Sequence, residues 1–233
     1  MSKNKDNKRL YPKFKLFRIF NIKRFILDFG RVTAWPGLLV YFKPKYYYQD
    51  KKIQKRRIKG RAIISCNHVN FWDPVFIVYT FFTRRIRFVA GEVLFEKKKP
   101  FPWFIKQLGC IKIDRHIFDY QFMKECSREL NEDGVVAMFP EGALNVENDS
   151  IKVFKSGIIL LALKTNSPII PMYIGGKYGI KKRQKAIIGV PFNPQDYCQG
   201  KMPTLVELNS ICEILYEKEC ELKTILEEKL KKK

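Results

Sequence analysis

The stretch Ala62–Pro74, AIISCNHVNFWDP, carries a histidine and an aspartate, His68 and Asp73, with four residues between them. An imidazole that gives one ring nitrogen to a carboxylate has a fixed tautomer, and its other nitrogen can take a proton from a hydroxyl. The pair therefore suits general-base activation of an alcohol. A plainer role suits the same residues, because Asp73 followed by Pro74 is also a good helix start, with Asp as N-cap and Pro at the first helical position.

The elements around the pair fit the chemical role. Ala62–Cys66 is a mostly apolar run that ends at Asn67, which predicts a buried strand delivering His68 at its carboxyl end. Open α/β sheets keep their chemistry at that edge. Further along, the pattern predicts helices over 74–82, 103–108, 117–131 and 156–164. Strands are expected over 86–89, 111–113, 135–139, 169–174 and 186–190. Pro140-Glu141-Gly142 forms the turn closing the strand 135–139. Strands alternating with helices predict an α/β fold, a central sheet flanked by helices.

Four short blocks in this order resemble the glycerolipid acyltransferases, the lysophosphatidate acyltransferase family. NHVNFWD is similar to the family's N-H-x4-D motif, GCIKIDR (Gly109–Arg115) to its second, FPEG (Phe139–Gly142) to its third and IIPM (Ile169–Met172) to its fourth. The resemblance covers roughly residues 60–195. It implies a mixed sheet of the glycerol-3-phosphate acyltransferase type. It also implies transfer of a fatty acyl group from acyl-CoA or acyl carrier protein to the free hydroxyl of lysophosphatidate, making phosphatidate. His68 would be the base and Asp73 its partner, in a single displacement needing neither a cofactor nor a metal. Candidate substrate-binding residues are Asn67, Arg115, Glu141, Gly142 and Lys155, with Arg115 suited to phosphate because guanidinium pairs with it through two bonds. The chain departs from the pattern after Gly142, reading Ala143-Leu144-Asn145 where the family has Thr-Arg-Ser; Lys152 and Lys155 are the cations that could compensate. The alternatives are an acyltransferase for another lysolipid or a non-phosphate acceptor, and a non-catalytic basic protein binding membrane or nucleic acid.

Composition and charge set the setting of this chemistry. The 233 residues carry 45 Lys and Arg against 23 Asp and Glu, a formal charge of +22, which favours anionic partners. The six cysteines show no CxxC spacing and follow no secretory signal, so they are expected to be reduced and intracellular. Residues 1–59 are expected to form a basic, aromatic-rich segment that meets an anionic membrane: Met1–Arg24 interleaves Lys and Arg with Phe and Ile. Phe25–Phe42 is apolar but interrupted by Asp28, Arg31 and Pro36-Gly37, which predicts dipping into a bilayer and not spanning it. Tyr46-Tyr47-Tyr48 within the basic run 43–59 also suits a membrane interface, or a solvated charged face. Residues 60–200 are expected to be the acyltransferase core. In 201–233 a capping box, Thr204 with Glu207, opens a helical segment packed on it. The expected location is peripheral or monotopic on the cytoplasmic face of the cell membrane, with no nucleic-acid partner.

Overall fold

The computed structural model describes residues 25–98, 100–114, 119–145, 151–175, 178–179, 182–198, 200 and 203–232. Within them the chain builds one seven-stranded sheet. The strands are β1 (Lys45–Tyr48), β2 (Ala62–Cys66), β3 (Ile86–Gly91), β4 (Ile111–Ile113), β5 (Val135–Met138), β6 (Ile169–Gly175) and β7 (Lys185–Ile188). Their spatial order is β1-β7-β6-β2-β5-β3-β4. Every neighbouring pair is parallel except β6 with β7. The helices are α1 (Phe25–Phe42), α2 (Asp73–Thr80), α3 (Phe101–Gln107), α4 (Tyr120–Asn131), α5 (Gly157–Thr165) and α6 (Leu205–Lys231). This is the mixed α/β architecture that the alternating pattern predicts.

Strand alternation splits the apolar residues into two cores, one on each face of the sheet. Ile63, Val136, Ile169 and Ile187 face α4, α5 and α6, where Leu130, Ile158, Leu215 and Leu222 meet them. Ala62, Ile64, Val135 and Ile174 face α1 and α2, against Phe42, Phe76 and Ile77. β2 is wholly buried because it lies between β6 and β5 with helices over both faces. Helix α6 opens with the expected capping box, the Thr204 side chain accepting from the N–H of Glu207 and the Glu207 side chain accepting from that of Thr204. Its buried stripe of Leu208, Ile211, Leu215, Leu222 and Leu226 completes the first core.

Two expectations for the N-terminal part change. Tyr46–Tyr48 belong to an edge strand: Lys45–Tyr48 pairs in parallel with Lys185–Ile188, so the sheet begins before residue 60. Four residues without apolar alternation hid the strand in a basic run, and only β7, about 140 residues away, supplies its partner. Phe25–Phe42 forms one helix that continues through Pro36. Its interrupting charges turn inward: Asp28 accepts from Arg85 Nε at 3.0 Å and pairs with Arg31 at 3.3 Å, these last two side chains being 7% and 8% exposed. Phe29, Val32, Trp35 and Val40 are left exposed. Among the described residues no helix is long and apolar enough to cross a membrane. The interleaved segment Met1–Arg24 lies outside the described residues.

Candidate active site

Parallel pairing of β2 with β5 and with β6 brings three strand ends to one edge, where the first and third motifs meet, while the fourth runs beside the body of β2, Ile169 opposite Ile63 and Met172 opposite Cys66. At the end of β2 the chain turns through residues 67–72 into α2. Asp73 lies in the first turn of that helix and does not cap it; Trp72 holds the N-cap position without a side-chain bond. Its carboxylate points back into the loop. Oδ2 accepts from the N–H groups of Val69 and Asn70 at 2.8 and 2.7 Å and meets His68 Nδ1 at 2.9 Å. Oδ1 accepts from the hydroxyl of Tyr178 at 2.6 Å. Asp73 is fully buried, so these donors take the place of water around its charge.

With Nδ1 committed to a carboxylate, its proton sits on that nitrogen and Nε2 is the basic one. The ring of His68 stacks on Phe139, with centroids 4.0 Å apart, and faces a cavity of about 950 Å³. The wall is overwhelmingly apolar: Val78 and Phe82 of α2 and the turn after it, Phe88 of β3, Ile105 of α3, and Met123 and Ile158 beyond. Gly142 and Lys155 stand in the same wall as His68. Gly142 has φ +72, and a Cβ there would come within 3.0 Å of Lys155 Cε. Glycine thus permits the turn and lets the lysine stem cross it.

The other candidates have different work. Asn67 spends its amide as a structural clasp: its Nδ2 donates to Ile174 O at 3.0 Å and its Oδ1 accepts from Ile174 N at 2.8 Å, tying the end of β2 to β6. Buried to 1% exposure, it has no face toward the cavity wall, of which it forms no part. The Glu141 carboxylate is likewise taken up by donors of the protein itself. Oε1 accepts from the backbone N–H of His68 at 3.0 Å, while Oε2 accepts from Asn145 Nδ2 and Lys152 N at 3.0 and 3.1 Å. The β2 and β5 loops are stitched together again by Asn145 N donating to His68 O at 2.7 Å. Arg115 lies outside the described residues.

Three contributors escaped the sequence. Tyr178 has no motif around it and reaches Asp73 across 105 positions of chain. Phe139 looked like strand filling, and Asn145 like a mere departure from a pattern. Burial pushes the thiol of Cys66, two positions before His68 in the chain, far up, which disfavours its reactive thiolate. Cys110, in the cavity wall, is pushed up to about 11 by burial.

Known proteins resemble this chain in sequence and in fold. An acyltransferase family model matches residues 46–175, more than half of the chain and including most of β1. A 1-acyl-sn-glycerol-3-phosphate acyltransferase of Bacillus subtilis is 26% identical over 174 residues, 71% of this chain and 83% of that protein. One from Borreliella burgdorferi is 30% identical over 117 residues, 49% of this chain and 45% of its own length. The crystal structure of the 1-acyl-sn-glycerophosphate acyltransferase of Thermotoga maritima has a similar fold, with a TM-score of 0.59 at 19% identity, covering 90% of this chain and 86% of that one. With the family model matched over more than half of its length, a span that contains the buried Asp73 and the histidine it holds, this chain belongs to the acyltransferase family.

Proposed function

We propose that the chain moves a fatty acyl group from a thioester, acyl-CoA or acyl carrier protein, to the free hydroxyl of lysophosphatidate, giving phosphatidate. The observation that carries this reading is the His68–Asp73 pair at the wall of a long apolar cavity of about 950 Å³, a space suited to an acyl chain and ill suited to a polar substrate. The names of the relatives support the choice of acceptor.

In this mechanism Nε2 of His68 removes the hydroxyl proton as the oxygen attacks the thioester carbonyl. The imidazolium is steadied by Asp73. Collapse of the tetrahedral intermediate breaks the carbon–sulfur bond, and the imidazolium returns the proton to the leaving thiolate. The step is a single displacement without an acyl-enzyme; Ser65 and Cys66, just before His68 in sequence, are fully buried. Lys155 supplies positive charge at the wall, and Arg115 at the end of the second motif is the further phosphate contact.

The enzyme works from a membrane surface. Helix α1 is the support for this, because it turns its charges to the protein and, while Phe42 packs into the core, leaves Phe29, Val32, Leu39 and Val40 exposed. Its Phe29 and Leu38 also reach the cavity wall, so an acyl chain would enter beside the lipid-facing side. A net charge of +22 adds attraction to anionic headgroups.

Turnover of acyl-CoA and of acyl carrier protein thioester, each with lysophosphatidate, tests the proposal, and Arg115→Ala should raise the KM for that acceptor. Preference for a lysolipid without a terminal phosphate would favour the alternative acceptor, for which Leu144 in place of the family's arginine is the motive.

A further inference from the structure

Tyr178 follows β6 and lies on the opposite side of Asp73 from the imidazole. Its ring is packed edge-on against Phe42 and Phe76, with centroids 5.8 and 6.3 Å away, and it forms no part of the cavity wall. It therefore reaches the reaction only through Asp73. Oδ2 of that aspartate holds three N–H donors, whereas Oδ1 has the phenol as its hydrogen-bond donor among the described residues. Without it, a carboxylate oxygen in a site closed to water would be unpaired, a costly state that rotation of the carboxylate would relieve. Burial, and then the adjoining Asp73 charge, push the phenol far up, so it remains a donor at any physiological pH.

We infer that Tyr178 is a positioning residue of the reaction, its hydroxyl holding Asp73 in the orientation that aims Oδ2 at His68 Nδ1. The inference rests on acyl transfer by the His68–Asp73 pair. It does not depend on which acceptor is used.

Tyr178→Phe keeps the ring contacts and deletes only the hydroxyl. Hydrogen bonds to charged groups are worth about 1.5–3 kcal/mol, so kcat should fall about 10- to 100-fold, with KM for donor and acceptor within about twofold. In an Asp73→Asn background the same substitution should cost less than about threefold, because residues acting as one unit are not additive. The proton on His68 Nδ1, recognised in NMR spectra by its loss in His68→Ala, should also change position in Tyr178→Phe. That signal needs no substrate, so it still tests the inference if lysophosphatidate proves to be the wrong acceptor. Wild-type kcat in Tyr178→Phe, an equal loss in both backgrounds, or an unmoved proton signal would overturn the assignment. Failure of Tyr178→Phe to fold would overturn it too, by making the hydroxyl a structural requirement.

Discussion

The backbone N–H of His68 donates to Oε1 of Glu141, so the loop that carries the imidazole hangs on the carboxylate of the third motif. The other oxygen gathers Asn145 and the N–H of Lys152. Glu141 is thus the knot between two parallel strand ends, at only 6% exposure.

Replacing that carboxylate by an amide puts a donor against a donor. Glu141→Gln should lose about 1–3 kcal/mol of stability in denaturant unfolding, and kcat should fall while the acceptor KM stays within about twofold. A raised acceptor KM in a protein of unchanged stability would mean that the side chain contacts substrate after all.

The base itself should show a different pattern. His68→Ala is expected to lower kcat by about 10²- to 10⁴-fold with melting unchanged, since the ring is partly exposed and its chief packing partner is Phe139. Asp73→Asn should lose nearly as much activity and also some stability, because the amide places a poor acceptor among four buried donors. Acyl transfer at close to the wild-type rate by His68→Ala would sink the mechanism.

Glu219 of α6 gives the stability a pH dependence that is separate from catalysis. It is fully buried and accepts a hydrogen bond from the Ser65 hydroxyl beneath the catalytic loop. Burial pushes its carboxyl well above the ordinary 4.5; the Ser65 bond opposes this and the Glu141 charge adds to it. The folded state therefore binds a proton that the unfolded chain releases. The stability this contributes is fully present below 4.5 and is lost as pH rises through the higher folded value. Glu219→Gln, neutral at every pH, should melt with a smaller decline than the wild type as pH rises above 4.5 and through the raised value. Equal declines in the two proteins would place the effect elsewhere.

Membrane binding can be separated from folding on α1. Val32 and Val40 are 58% and 62% exposed, so Val32→Ser with Val40→Ser should leave the melting temperature unchanged. Burying a valine in an apolar phase is worth about 1.5–3 kcal/mol, and affinity for anionic vesicles should drop at least about tenfold. Wild-type binding should weaken with salt without vanishing, since inserted side chains are not screened. Unaltered sedimentation of the double variant with vesicles would assign this face to another partner.

Much of this protein is written locally in its chain. β2 and β4 could be read from short apolar runs to the residue, and α6 from its capping box and leucine spacing, because hydrophobic period and capping are properties of neighbouring residues. The His68–Asp73 contact is equally local, a loop of five positions folding a carboxylate onto a ring. What the chain could not disclose are relationships between distant residues. Lys45–Tyr48 becomes a strand only because β7 lies beside it, and the charges of α1 turn inward only because Arg85 and the backbone of Arg84 await them. Asn67 and Glu141 were legible as polar residues at motif turns, but polarity alone does not say whether a side chain faces substrate or backbone. Parallel packing of β6, β2 and β5 set Asn67 against the backbone of Ile174 and Glu141 against backbone N–H groups and Asn145, and Tyr178, beyond the end of β6, reached Oδ1 of Asp73. A buried polar group must find its partners wherever the fold puts them, and no run of neighbouring residues records where that is.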